Sequence, residues 1–126
     1  MKYRNILLID DDEDDQDLFL LALKELQESI KFVGLYDALL ALNKLVNKEI
    51  IADAIFVDLN MPIIDGFQFL SLVKKTEELK NIPIIIYSTS SQANMIKLAK
   101  ENGAHDFITK PSKYIDLVNI LRTTLS

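Results

Sequence analysis

A chain of 126 residues, 49% of them hydrophobic, is long enough to bury about two-thirds of its unfolded surface in one domain, which argues against a disordered segment. The absence of cysteine excludes disulfides and thiolate metal sites and fits a reducing compartment. The net charge of −5 is local: seven acids crowd into Asp10–Asp17, the other residues carry 12 acids against 14 Lys and Arg, and no basic stripe or aromatic platform suits nucleic acid.

In chain order, MKYRNILLIDDD opens with a short apolar run that ends in acids, which is neither a signal-peptide core nor a membrane span. A cytoplasmic protein with no membrane partner is therefore expected. Strands are predicted at Asn5–Ile9, Ile30–Gly34, Ala54–Val57, Ile82–Tyr87 and Asp106–Ile108. The runs ADAIFVD and IPIIIYS are almost uninterrupted apolar stretches, as strands covered on both faces require. Helices are predicted between them. Gln16–Gln27 carries Leu18, Leu21 and Leu26. Ala38–Val46 follows Asp37 as N-cap. Gly66–Glu77 follows Asp65 and presents Phe69, Leu70 and Val73. Gln92–Asn102 stops at Gly103. Lys113–Thr124 shows Ile115, Val118, Leu121 and Leu125 at helical spacing.

Strands alternating with helices imply a parallel sheet with right-handed crossovers and helices on both faces. The expected fold is a flavodoxin-like, doubly wound (βα)5 unit with strand order 2-1-3-4-5, one domain over residues 1–126 without an appended effector domain.

In such a sheet, ligands bind beyond the carboxyl ends of the strands, at the point between strands one and three where the order reverses. Asp10 and Asp11 end strand one, and Asp58 ends strand three in FVDLNMP. Three carboxylates without His or Cys form a hard oxygen set suited to Mg²⁺, and a bound ion would offset their repulsion. Asp14, Asp15 and Asp17 fall in or beside the first turn of the next helix, where its dipole favours acids without any metal. Asp12 and Glu13 are expected to be solvated. Strand four ends in YSTSS, which puts Ser88 at the rim with Thr89 beside it. Strand five runs HDFITKPS and delivers Lys110 towards the acids. Alone, Ser88 reads as a turn residue and Lys110 as a surface lysine; together, the four strand ends are polar in complementary ways.

This set, DD after strand one, DLNMPIIDG after strand three, a hydroxyl after strand four and KP after strand five, resembles the response-regulator receiver family over the whole chain. The spacings, 30 residues from Asp58 to Ser88 and 22 more to Lys110, are also the family's. The resemblance implies that Asp58 is the phosphoacceptor. It makes Asp11, Asp58 and the backbone carbonyl of Asn60 direct Mg²⁺ ligands, with Asp10 acting through water. Ser88 would be the switch hydroxyl, Lys110 the cation that pairs with the phosphoryl group, and Phe107 the aromatic that turns inward on activation, although ordinary strand core explains Phe107 nearly as well. The Lys110–Pro111 bond is expected to be cis. The partner face would be formed by the fourth helix, fifth strand and fifth helix, with Ile96, Lys97, Lys100 and Tyr114 as candidates.

The implied partners are a sensor histidine kinase or phosphotransfer protein and a downstream target protein, with the chain a monomer or a phosphorylation-linked homodimer. Ser88 stands where Thr is more frequent, and Thr89 where Ala is common; the larger side chain is expected to slow phosphoryl loss. The DDDEDD pattern with YSTSS is also similar to stand-alone regulators that accompany phytochrome-type kinases. Two other readings compete with a signalling module that is not an enzyme in the usual sense. A phosphohydrolase with Asp58 as nucleophile would need a second acid where Asn60 stands. A receiver acting only as a binding module would have lost an acid, the hydroxyl or the lysine.

Overall fold

The computed structural model describes residues 2–26 and 29–126. Five strands, β1 (Asn5–Ile9), β2 (Lys31–Leu35), β3 (Ala54–Val57), β4 (Ile84–Ser88) and β5 (Asp106–Thr109), alternate with α1 (Glu13–Glu25), α2 (Ala38–Val46), α3 (Gly66–Lys74), α4 (Ala93–Glu101) and α5 (Tyr114–Leu125). The strands form one sheet in the order β2-β1-β3-β4-β5, and every pair is parallel. The expected doubly wound fold is the one observed.

Period-two alternation explains why the strands read as continuous apolar runs. Ile6, Leu8, Phe56, Ile85 and Tyr87 face α1 and α5, whereas Leu7, Ile9, Ile55, Val57, Ile84 and Ile86 face the side covered by α2, α3 and α4. Phe19 anchors the first layer, edge-on to Phe56 and Tyr87 at 5.0 and 5.5 Å between ring centroids.

The boundaries differ from the predicted ones for local reasons. Helix α1 starts at Glu13 rather than Gln16, because the Asp12 carboxylate caps it by accepting from the Asp15 N–H at 3.1 Å. The predicted end at Gln27 lies outside the described residues. The buried stripe of α1 is Gln16, Phe19, Ala22 and Leu23, continued by Leu26 at the C-cap, whereas Leu18 and Leu21 of the predicted stripe face solvent. Ile115 of α5 is likewise exposed, and Leu117 takes its place in the core. Strand β2 is shifted by one residue, in register with Asn5–Ile9. Strand β4 begins after Pro83, which lacks an N–H for the ladder, and runs on to Ser88, paired with Thr109 of β5. Helix α3 ends at Lys74, followed by a turn in which the Lys80 N–H reaches the Thr76 carbonyl. Helices α4 and α5 deviate by a single residue at their ends.

Gly103 closes α4 as predicted, with φ +97° and its own N–H and that of Ala104 bonding back to Lys100 and Ala99. Helix α2 ends in the same pattern, with Lys48 at φ +59° in the position that Gly103 holds after α4.

Candidate functional site

The carboxyl ends of β1, β3, β4 and β5 meet at one edge of the sheet. The backbone N–H of Asp10 donates to Leu35 O and that of Asp58 to Ile9 O, which continues the ladders one step beyond the strands and fixes both acids at the rim. Asp10 is fully buried and Asp58 nearly so, whereas Asp11 is exposed. One oxygen of each lies within 4.8 Å of the others, the cluster expected from the sequence. Three carboxylates without nitrogen or sulfur donors form a set that could bind a divalent metal, and the exposed Asp11 leaves it open to solvent.

Two tight turns aim the buried acids. Asp10 Oδ1 accepts from the Asp12 N–H at 3.0 Å, and Asp58 Oδ1 accepts from the Asn60 N–H at 3.2 Å. Behind Asp58 the chain passes so close to the start of α3 that a Cβ on Gly66 would stand 2.6 Å from the Asp58 carbonyl oxygen, which is why glycine is required there. The Asn60 side of this loop is exposed, and Ile63 within it adopts φ +70°.

Lys110 supplies the counter-charge. Its Nζ donates to Asp15 Oδ2 at 2.7 Å, Asp10 Oδ2 at 2.8 Å and Asp58 Oδ2 at 3.0 Å, and it stands 5.3 Å from the centre of the buried Tyr87 ring. Burial alone would pull a lysine pKa down, but the hydrogen bonds the ammonium donates to three carboxylates outweigh it and hold it above its ordinary value. Burial pushes the Asp10 carboxyl up, against the opposing pull of Lys110. It also pushes the Tyr87 hydroxyl up, so that ring stays neutral. The described peptide bonds are all trans, so the expected cis Lys110–Pro111 bond is absent. Inward aim comes instead from the strand pairing: the Lys110 N–H donates to Ser88 O at 2.7 Å, and Thr109 Oγ1 donates to Ser90 O at 3.0 Å. These two bonds also tie the β4 and β5 loops together.

Ser88 is fully buried at the end of β4, and its Oγ accepts from the Ser90 N–H at 3.3 Å; Thr89 beside it is exposed. Phe107 is half-buried in β5 against the core under α4, so in this structure it is strand core.

Two participants escaped the sequence reading. Asp15, assigned there to the helix dipole alone, makes the shortest of the three bonds to Lys110. Gln16 is buried, and its Nε2 donates to Leu35 O, Asp10 O and Leu8 O at 2.9, 3.1 and 3.3 Å, bracing the ends of β1 and β2 behind the acids. Gly34 makes room for it, since a Cβ there would lie 2.1 Å from Gln16 Oε1. The spacing Gln16, Phe19, Leu23 was the available signal: it places the amide on the buried stripe. Asp12, expected to be merely solvated, is the N-cap of α1.

Residues 6–122 match the family model of the response regulator receiver domain. The chain belongs to that family. Members are phosphoacceptor signalling modules of two-component systems. This receiver domain is 32% identical over 120 residues to the sensor histidine kinase CheAY of Helicobacter pylori, covering 95% of this chain but 15% of that protein. Among solved structures it is similar to the cyanobacterial phytochrome response regulator RcpA, crystallised in phosphorylated form (27% identity, TM-score 0.87, 97% of this chain and 91% of that one). It is also similar to the Mn²⁺-bound response regulator Rcp1 (26% identity, TM-score 0.84, 95% and 90%). No helix among the described residues is long and apolar enough to cross a membrane.

Proposed function

We propose that this receiver domain is a switch that accepts a phosphoryl group on Asp58 from a sensor histidine kinase or phosphotransfer protein. The observation that carries this reading is the Lys110 ammonium, held 3.0 Å from the carboxylate of Asp58 at the mouth of an all-oxygen acid cluster. An Asp58 oxygen attacks phosphorus, the bond from phosphorus to the donor's histidine nitrogen breaks, and that nitrogen keeps the electron pair. Phosphoryl transfer needs little beyond positioning and neutralisation of charge, and Lys110 supplies a fixed cation for it. Mg²⁺, held by Asp11, Asp58 and the Asn60 carbonyl with Asp10 acting through water, would add the remaining positive charge on the phosphoryl oxygens. The Mn²⁺-bound form of Rcp1 and the phosphorylated form of RcpA support both halves of the reading.

The protein is read as cytoplasmic and as a signalling module whose only chemistry is its own phosphorylation and dephosphorylation. After transfer, the Ser88 hydroxyl donates to a phosphoryl oxygen, and Phe107 and the β4 loop shift with it. That movement alters a partner surface on α4, β5 and α5, where Ile96, Lys97, Lys100 and Tyr114 lie, and a downstream protein or a second copy of the chain reads the change. Thr89, next to Ser88 and larger than the alanine common at that position, limits the access of water.

Intact-mass spectrometry after incubation with acetyl phosphate tests the proposal. The wild type should gain one phosphoryl group only with Mg²⁺, Asp58→Asn should gain none, and Thr89→Ala should lose the group faster once the donor is removed. A wild type that binds Mg²⁺ yet gains no mass would overturn the reading.

A further inference from the structure

The geometry points to Asp15 as an internal competitor of the phosphoryl group for Lys110. This inference rests on Asp58 being the acceptor and adds a control on its rate.

An ammonium has three hydrogens. In this structure carboxylate oxygens of Asp15, Asp10 and Asp58 occupy all three positions around Lys110 Nζ, at 2.7, 2.8 and 3.0 Å. Phosphorylation of Asp58 replaces one acceptor with several phosphoryl oxygens, which then compete with the other carboxylates for the same ammonium. The three are not equal. Asp10 is fully buried and would lose the cation it pairs with, a costly arrangement for a carboxylate out of water. Asp58 carries the phosphoryl group itself. The Asp15 side chain is 29% exposed, rises from the first turn of α1, and accepts no other hydrogen bond among the described residues. Water can solvate it as soon as it leaves. Asp15 therefore occupies Lys110 until the phosphoryl oxygens displace it, and its charge opposes the approach of an anionic donor. A purely structural role, holding Lys110 in place, predicts the opposite sign for its removal.

The test compares wild type, Asp15→Asn and Asp15→Ala with acetyl phosphate at saturating Mg²⁺. In the reaction an Asp58 oxygen bonds to phosphorus, the bond from phosphorus to the acetate oxygen breaks, and acetate leaves with the electron pair. Because the pair with Lys110 is partly solvated, both variants should be phosphorylated about two- to fivefold faster than the wild type. Variants that react at the wild-type rate or more slowly would overturn the inference. A second readout needs no mutation: the ¹³Cγ resonance of Asp15 should shift on phosphorylation as the carboxylate leaves Lys110. An unmoved resonance in a fully phosphorylated sample would also reject displacement. A wild type that gains no phosphoryl group would instead remove the reading of Asp58, which separates the two failures.

Discussion

Ile63 holds a left-handed backbone, φ +70°, with a β-branched side chain that is 76% exposed. That conformation crowds Cβ against the following carbonyl, and no burial of the side chain offsets the cost. Replacement by glycine should raise stability by about 1 kcal/mol, read as a higher urea midpoint at unchanged slope; an unchanged or lowered midpoint would contradict the strain. At the same scale, Asp10, Asp11, Asp58, Ser88 and Lys110 were legible because each ends a strand, and strand ends can be located from apolar runs. Asp15 was not. In a run of seven acids, the helix dipole accounts for any acid in the first turn, and only the turn geometry picks out the one that reaches Lys110. Ile63 left no trace in the sequence either, since a positive φ is anticipated at glycine or asparagine and not at isoleucine.

Between elements, the start of β1 is fastened to the approach to β3 by one carboxylate oxygen. Asp53 Oδ2 accepts from the Arg4 N–H at 3.1 Å and from the Asn5 N–H and side-chain amide at 2.8 and 3.0 Å. These bonds favour the charged form and hold the carboxyl below its ordinary 3.8. A lowered folded-state pKa contributes stability that is fully present above the unfolded value and is lost as pH falls through the folded one. The stability advantage of the wild type over Asp53→Asn should therefore hold from neutral pH down to about 4 and shrink below it. Denaturant midpoints of the two proteins across that range check this, and a difference independent of pH would rule out the clamp. Helices were legible in kind but less so in extent. The periodicity that marks α1 fits two faces, and only the packing of Phe19 on Phe56 and Tyr87 selects the buried one over Leu18 and Leu21.

Over the whole molecule, strand order and the two-layer core were legible because β3 and β4 read as fully covered strands and every crossover is helical. The site's charge is unequally shared along the chain. The acids stand at the ends of β1 and β3, both in the first half, while their cation arrives on β5, the last strand, 100 residues after Asp10. β1 pairs directly with β2 and β3 and makes no contact with β5 in the sheet order, so a folding transition state that lacks β5 would leave Asp10 and Asp58 hydrated, with Lys110 arriving later. The ion pairs should therefore form after the rate-limiting step of folding, and Lys110→Met should accelerate unfolding while leaving the refolding rate nearly unchanged in stopped-flow measurements. A slower refolding limb would place the lysine in the nucleus instead. On this account the site is the last part of the fold to close and the first to open.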